Sequence, residues 1–366
     1  MATTYKSLST NDIVTTKTLL HEAIPITGTI VTGTYGAAGA EKNIKNYTHG
    51  MFQSVYDYPF LSSSANHIFD MTVGMHATSG LSSSTNTQQA KKQNIYNQMA
   101  QVLMGYDENG NIRLFDEDGD LSGGTKMRSV FFMNFARLLT KDEIKKGSFA
   151  IEIGVNREHT ASNSPNKFRV QLADTNAQND YRVNSPAGDY GILYATEASG
   201  TQVLKVDDGT QKAGLIFYQA GIVVITGSLF SSGSFTGGLL GNDCDHPRMD
   251  LDFGLRTTMA SSSISASCDA FRRRIYNVQF NNTTELNSTV YFCRAHHNEF
   301  NYSTNPTYLS SSKMVVKNVA SDSPVSYIST VGLYSSDNEL LAVAKLSEPL
   351  KKDPSNELTL RVRLDY

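Results

Sequence analysis

The sequence predicts a mainly β protein with a few helices, an α+β chain of several domains with antiparallel strands and a C-terminal β module. The 366 residues include 18 Tyr, 17 Phe and 27 Gly but no Trp, a composition that favours strands and turns over long helices. Two segments carry a clear helical pattern, whereas alternation and turn residues recur along much of the remaining chain. A chain of this length should form two or three domains.

The N-terminal region, residues 1–147, is predicted to be mixed α/β. Its longer helix is expected from Thr87 to Met104, where apolar residues such as Ile95 and Val102 recur at helical spacing. Gly105 stands where a glycine in the left-handed conformation would end the helix.

A second, shorter helix is predicted in "LLTKDEIKKG", Leu138 to Gly147. Thr140 and Glu143 have the spacing of a capping box, in which each side chain accepts a hydrogen bond from the backbone N–H of the other. Acidic residues in the first turn and lysines in the last suit the helix dipole, and Gly147 provides the stop. The preceding run "MRSVFFMNFARLL" is apolar enough to be a buried strand or a buried helix, and its periodicity leaves both open.

Residues 148–242 are predicted to form a β-rich domain that ends in a Gly/Ser-rich loop, "SSGSFTGGLLGN". Residues 243–366 are predicted to form a C-terminal β module used for assembly. In its segment "LTLRVRLDY" the side chains of Leu358, Leu360, Val362, Leu364 and Tyr366 should share one face. Because such a strand is easily left at a sheet edge, we expect it to pair with a neighbouring subunit.

Charge, cysteine content and hydropathy exclude several partner classes. The chain has 32 Lys plus Arg against 35 Asp plus Glu, so its net charge gives no reason to expect binding to nucleic acid or to an anionic membrane. No run approaches the ~20 apolar residues of a membrane span, and the first residues lack the features of a signal peptide. Three widely spaced cysteines are expected to be thiols in a reducing compartment.

Two acidic turns are weak candidates for a calcium site. "YDENGNIRLFDEDGDL" spaces its oxygen ligands as calcium loops do, but it lacks the glycine at position 6 and the glutamate at position 12 of an EF-hand. Asn-Gly and Asp-Gly are hairpin formers, so the preferred interpretation is two tight turns beside a short strand. The candidate ligands are Asp107, Asn109, Asp116 and Asp118.

A zinc shell of two cysteines and two histidines is the other weak metal candidate, drawn from Cys244, His246, Cys293 and His296. Neither half has the usual ligand spacing, and the halves are about fifty residues apart. The preferred interpretation is that Cys293 is a small buried side chain of a strand.

No catalytic signature or cofactor motif is present, and we therefore predict neither an enzyme nor a cofactor. The chain has no nucleophile elbow, no Gly-rich phosphate loop with its lysine and no pair of histidines in a zinc-protease motif. The run Arg272 to Arg274 is expected to be ion-paired at a surface or an interface and not to bind phosphate.

Five blocks of the sequence are distinctive: "LSSSANHIFDMTVGM", "QNIYNQMAQVLMG", "FARLLTKDEIKKGSF", "HNEFNYSTNPTY" and "YISTVGLYSSDNELLAVAKLSEPLKK". These blocks resemble virion structural proteins of contractile-tailed bacteriophages, especially those that infect cyanobacteria. The resemblance is strongest after Arg294, and it implies a place in a particle and not a reaction.

This resemblance implies a structural component of the virion, assembled in the host cytoplasm. The expected position is the tail baseplate or its junction with tube or fibres, and the expected partners are other tail proteins and further copies of the chain. Polar segments rich in Tyr and Asn suit surfaces that neighbours cover. The candidate interface residues are Phe300, Tyr302, Tyr308, Leu364 and Tyr366.

Other functions stay open. A receptor- or glycan-binding tail protein would use Tyr302, Asn305 and Tyr308 to stack on a sugar and to hydrogen-bond with it. A neck- or capsid-associated structural protein is a second alternative. An envelope-degrading enzyme would need two carboxylates at a fixed separation, which spacing in sequence does not reveal.

Overall fold

The computed structural model of the protein describes residues 5–33, 35–37, 40–82, 87–139, 143–154, 169–197, 212–230, 259–301, 309–310, 313–314, 321 and 325–366. It confirms the predicted class, because strands dominate these residues. The helices are α1 (Gly28–Thr32), α2 (Thr87–Leu103) and α3 (Ile264–Arg272), with short 3-10 segments at Thr10–Asp12 and Gly227–Phe230.

The strands are β1 (Ile13–Thr27), β2 (Ile44–Asn46), β3 (Gln53–Tyr56), β4 (His67–Met75), β5 (Phe115–Asp116), β6 (Lys126–Met127), β7 (Ser129–Asn134), β8 (Glu143–Ile144), β9 (Ala150–Gly154), β10 (Arg169–Ala173), β11 (Tyr190–Glu197), β12 (Lys212–Phe217), β13 (Ile222–Thr226), β14 (Ile275–Ala295), β15 (Leu309–Ser310), β16 (Lys313–Met314), β17 (Ser326–Tyr334), β18 (Leu340–Lys352) and β19 (Leu358–Asp365).

One large sheet contains most of these strands, in the order β1-β14-β9-β10-β11-β12-β13-β7-β4-β3-β2. From β14 to β2 each neighbouring pair is antiparallel, as predicted. β8 and β19 also pair with β14, at different points along its length. Three two-stranded sheets, β5–β6, β15–β16 and β17–β18, lie outside this order.

Contacts divide the chain into two units. The core unit is Leu20–Thr284, and the arm unit is Met1–Leu19 together with Glu285–Tyr366. Both β1 and β14 contribute residues to each unit. The predicted division at residues 147 and 242 stays a prediction.

The core unit buries one continuous apolar cluster, to which β7 contributes Val130, Phe131, Phe132 and Met133. This resolves the ambiguous run before residue 140 as a strand. It is apolar throughout because both of its faces are covered, whereas a strand with one wet face would alternate.

Helix α2 confirms the longer predicted helix, and Gly105 follows it with the left-handed φ of +74°. The helix lies close to β4, since a Cβ at Gly74 would stand 3.1 Å from the Cα of Tyr96. The predicted apolar face is partly wrong, because Val102 is 63% exposed. The buried positions are Gln89, Lys92, Ile95, Tyr96, Ala100 and Leu103.

The shorter predicted helix is wrong where the structure describes it. Glu143 and Ile144 form β8, which pairs with β14, and Lys145 donates its backbone N–H to the carbonyl of Asn281 at 2.8 Å. Pairing with β14 offers this segment long-range hydrogen bonds that outweigh its local helix propensity. The proposed cap, Thr140, lies outside the described residues.

Arg272 and Arg273 are ion-paired to Glu41 as predicted, but Arg272 and Arg274 are buried within the chain and not at a surface or an interface. Arg272 is fully buried and donates to Val31 O at 2.6 Å, to Glu41 Oε1 at 3.2 Å and to Asp269 Oδ1 at 3.0 Å. Arg274 donates to Gly154 O at 3.1 Å. Arg272 therefore joins the end of α3 to the segments around residues 31 and 41, and Arg274 joins the following turn to β9.

We predict that Arg272→Ala lowers the free energy of unfolding by roughly 3–5 kcal/mol, because it leaves the buried carboxylate of Glu41 without one of its cations. Arg363→Ala is the control, since the Arg363–Asp365 pair is more than half exposed and its loss should leave the free energy of unfolding nearly unchanged. Urea unfolding followed by circular dichroism measures both values. Equal losses in the two variants would contradict the role given to Arg272.

Asp174 is a second buried charge that joins separate strands. Its carboxylate accepts hydrogen bonds from the backbone N–H groups of Gly147 at 2.8 Å and Phe149 at 2.9 Å, and from the Tyr218 hydroxyl at 2.9 Å. Burial raises the pKa of Asp174 above its ordinary value of 3.8, although these donors act in the opposite direction.

The raised pKa predicts the pH dependence of an Asp174→Asn variant. The folded state binds the Asp174 proton more tightly than the unfolded chain does, so the resulting stabilisation is complete below pH 3.8 and is lost as the pH rises through the folded pKa. The free energy of unfolding of wild type, minus that of the variant, should therefore fall as the pH rises from about 4 towards neutrality. Denaturant titrations at several pH values measure this difference.

Asp107→Asn is the control of opposite sign. Hydrogen bonds from the Asn111 backbone and side chain lower the pKa of Asp107, so its stabilisation is present above its ordinary value and is lost on acidification. A wild-type advantage over Asp174→Asn that grows with pH would contradict the assignment.

Candidate assembly surface

The arm unit buries few apolar side chains among the residues that the structure describes. They are Val290, Ala295 and Val362, and none of them belongs to the apolar cluster of the core unit. The described part of the arm unit is therefore distinguished by the apolar side chains that it leaves exposed.

Within the arm unit, β19 pairs with β14 from Leu358 to Asp365. The predicted alternation is confirmed from Leu358 to Leu364, because Leu360 and Leu364 are half-buried while Arg361 and Arg363 are exposed. β14 is the only partner of β19 among the described residues, so the predicted sheet edge is present.

Tyr366 departs from the predicted buried face, since 67% of it is exposed. Its backbone exchanges two hydrogen bonds with Asn287, and its hydroxyl lies 3.0 Å from the Thr289 hydroxyl. The phenol ring is therefore held in place with much of its surface open.

The hairpin Ser326–Lys352, formed by β17 and β18, is the most exposed apolar element of the arm unit, and we call it the arm. The arm is a separate two-stranded sheet, and only its two end residues, Ser326 and Lys352, are buried. Its exposed apolar side chains are Tyr327, Tyr334, Leu340, Leu341, Val343 and Leu350. A two-stranded hairpin alone in water is marginally stable, so this one is suited to pairing with other protein.

Lys352 fastens the base of the arm. Its ammonium is fully buried and donates to Asn301 Oδ1 at 2.7 Å, to Asp353 O at 2.9 Å and to His297 O at 3.3 Å. The structure places no carboxylate within ion-pair distance of it among the described residues. Ser326 Oγ donates to the carbonyl of Phe300 at the same end of the arm. Neutral oxygens therefore hold the positive charge.

The hydrogen bonds of Lys352 reach the beginning of "HNEFNYSTNPTY", at His297 and Asn301. The Asn301 amide donates to His297 O at 2.8 Å, and Glu299 accepts from the His296 N–H and from Lys6. Phe300 has a left-handed φ of +52° and is 48% exposed. The other candidates in this segment, Tyr302, Asn305 and Tyr308, lie outside the described residues.

An apolar patch lies near the turn of the arm. The side chains of Tyr334 and Leu340 lie over Gly332, and the Tyr5 ring lies 4.7 Å from the Tyr334 ring, centroid to centroid. Leu341 and Val343 follow in β18, and more than half of each is exposed. We call Tyr5, Tyr334, Leu340, Leu341 and Val343 the arm patch.

Sequence reasoning missed the arm patch and Lys352. The run from Val325 to Leu346 is strongly apolar and looks like a core strand. The sequence of this run does not show whether its apolar side chains are buried by other parts of the chain or exposed.

The structure brings together part of the calcium candidate. Oxygens of Asp116, Asp118 and Asp120 lie within 4.8 Å of one another. However, Lys126 Nζ is 2.7 Å from Asp116 and Lys212 Nζ is 3.7 Å from Asp118, so two ammonium groups already offset part of the charge of these three acids. Burial raises the pKa of Asp116, and the ion pair with Lys126 acts against this rise.

The first acidic turn is separate from that cluster. The Asp107 carboxylate accepts from the N–H groups of Asn109 at 2.9 Å and Asn111 at 2.7 Å, and a bridge between Tyr106 and Ile112 closes the turn. The preferred interpretation of this segment as a tight turn is confirmed. The Asp107 carboxylate accepts hydrogen bonds from the backbone of the turn itself.

The zinc candidate is only partly described. Cys244 and His246 lie outside the described residues. Cys293 is half-buried opposite Leu360 in the sheet, and His296 faces Glu357 at 3.9 Å. In the part of the chain that the structure describes, these side chains do not form a group that could hold a metal.

A cavity of about 370 Å³ lies in the core unit between β1, β14 and the turns after β8 and β10. Its wall contains Lys145, Ser148, Gln178 and amide side chains of β14, and none of the lining residues is an acid, a histidine or a cysteine. The Ser148 hydroxyl donates to Lys145 O at 2.6 Å and accepts from the Asn281 N–H at 3.0 Å. This hydroxyl therefore shapes the turn through both of its hydrogen bonds.

Comparisons with protein families, with curated proteins and with solved structures found no match. Among the described residues, no helix is both long and apolar enough to cross a membrane.

We predict that Lys352→Met loosens the base of the arm, because the oxygens of Asn301 and His297 lose a charged donor worth about 1.5–3 kcal/mol. Amide hydrogen exchange in residues 326–352 should accelerate at least about tenfold, with little change in the core unit. Lys351→Met is the matched control, since Lys351 is more than half exposed and, in the described part of the chain, forms an ion pair only with Asp353. Similar exchange in the two variants would show that Lys352 does not fasten the arm.

Proposed function

We propose that this protein is a non-enzymatic structural subunit of a bacteriophage virion, which acts by protein–protein assembly in the tail baseplate or at its junction with tube or fibres. The observation that carries the proposal is the arm unit, with three buried apolar side chains among its described residues and an exposed apolar arm. Large exposed apolar surfaces on a folded chain are typical of protein–protein interfaces.

The position of the resemblance supports the same proposal. It is strongest after Arg294, and that part of the chain belongs to the arm unit. The surface suited to assembly and the strongest likeness to virion proteins therefore coincide.

The fastening of the arm also fits an assembly role. Lys352 and Ser326 fix the base by hydrogen bonds, while the apolar side chains further along stay open. A hairpin that is ordered at its base presents its interface at a smaller entropic cost than a disordered segment would. The subunit is thus prepared for docking before it meets its neighbours.

Incorporation into particles tests the proposal. Host cells that express a tagged copy of the protein are infected with a contractile-tailed phage whose own copy of the gene is deleted, and the purified particles are examined by immunoblot and by electron microscopy with a labelled tag. We expect the wild-type protein on the tail, and we expect a variant with residues 327–351 replaced by a short Gly-Ser linker to be missing.

Val102→Asp is the control, because it places a charge on an exposed position of α2 in the core unit. This variant should enter particles normally. Absence of the wild-type protein from particles, or normal entry of the variant without the arm, would contradict the proposal.

A further inference from the structure

We infer that the partner that covers the arm patch is a second copy of this chain. The inference rests on the proposed function, because it identifies the neighbour that the same surface binds. Three properties of the arm unit carry it: the amount of exposed apolar surface, the charge balance and the unpaired strand edges.

The exposed apolar surface is large enough for a stable interface. Of the twenty large apolar side chains that are exposed among the described residues, twelve belong to the arm unit, and each exposes between 37% and 68% of its surface. The twelve are Tyr5, Ile13, Val14, Leu19, Phe300, Tyr327, Tyr334, Leu340, Leu341, Val343, Leu350 and Tyr366. Tyr5 and the six in the arm supply one side of the contact, and the three in β1 supply the other. Since an aromatic side chain buries roughly 150–250 Å² and an aliphatic one less, the first seven present on the order of 600 Å². A stable interface needs about 800 Å² from each partner, of which a little over half is apolar.

The charge balance of the two surfaces allows a second copy to bind. The arm has three acids, at positions 337, 339 and 348, and two exposed lysines, at positions 345 and 351, beside the buried Lys352. In the part of β1 that belongs to the arm unit the one charged residue, Lys17, pairs with Glu285 at 2.7 Å. The arm of one copy therefore meets β1 of the next without strong net repulsion, whereas a partner chosen by opposite charge would require a large excess of one sign on the arm.

Unpaired strand edges provide the backbone part of the contact. The two strands of the arm pair only with each other, and β1 pairs only with β14, among the residues that the structure describes. The part of β1 in the arm unit, Ile13–Leu19, exposes every residue, including Val14 and Leu19. The arm of one copy can therefore form backbone hydrogen bonds with the free edge of β1 in the next copy. It can also cover the exposed apolar side chains of that strand.

This contact joins two different surfaces, the arm patch of one copy and β1 of the next. A contact of that kind is heterologous, and successive copies form a ring if the rotation between them closes. Substitutions on either surface should consequently weaken the same association.

The test compares two variants of the full-length chain, Leu341→Asp in the arm patch and Leu19→Asp in β1. Each position is more than half exposed, so the monomer should still fold, and its circular dichroism melting curve checks this. Sedimentation velocity over a range of concentrations should show an oligomer for wild type. Each variant should dissociate at least about tenfold more easily, because a buried charge would replace an apolar contact.

Val102→Asp again serves as the control and should associate as wild type does. A monomeric wild-type protein would overturn the inference, and so would an unchanged oligomer in either arm-unit variant. Equal dissociation of Val102→Asp would overturn the assignment to the arm unit.

Hydrogen exchange gives a readout that needs no substitution. Amides of residues 326–352 should exchange more slowly in concentrated than in dilute wild-type protein, and equal rates would overturn the inference. If the wild-type protein is a monomer but still enters particles, the inference is wrong and the proposed function is unaffected. If it is an oligomer but never enters particles, the proposed function is wrong and the inference is unaffected.

Discussion

The backbone pairing of β14 is the interaction on which most of the sheet depends. This strand runs from Ile275 to Ala295 and pairs in turn with β9, β8 and β19, while β1 lies along its other edge. Its hydrogen bonds explain why the segment after residue 142 is a strand although its local sequence favours a helix. Helix propensities favour one conformation over another by only a few tenths of a kcal/mol per residue. A set of long-range backbone hydrogen bonds contributes more than this and therefore decides the conformation.

The two units differ in which groups surround their buried charges. They also differ in how much of their apolar surface is buried. In the core unit, the charges of Arg272 and Asp174 are buried with several hydrogen-bond partners each, inside an extensive apolar cluster. In the arm unit, Lys352 is buried against neutral oxygens, while nearby apolar side chains stay in contact with solvent. The second arrangement is the observation on which the proposed assembly role rests.

Sequence reasoning about the candidate site succeeded where the signal was local. The alternation after Leu358 predicted a one-faced strand at an edge, and the Asn-Gly signal predicted the turn at Asp107. It failed where partners are distant in sequence. The arginine run was predicted to lie at a surface or an interface, because nothing near it in the sequence indicates that Glu41 and Val31 are its neighbours.

The sequence by itself determined the β-rich class, helix α2 with its glycine stop, and the one-faced strand β19, since composition and short-range periodicity decide these features. Only the tertiary structure decided which apolar strands are covered. β7 and β18 are both apolar in sequence, yet β7 is buried in the core unit and β18 lies mostly exposed in the arm. The physical reason is that burial depends on which other strands pack on each face, and a single strand's sequence does not contain that information.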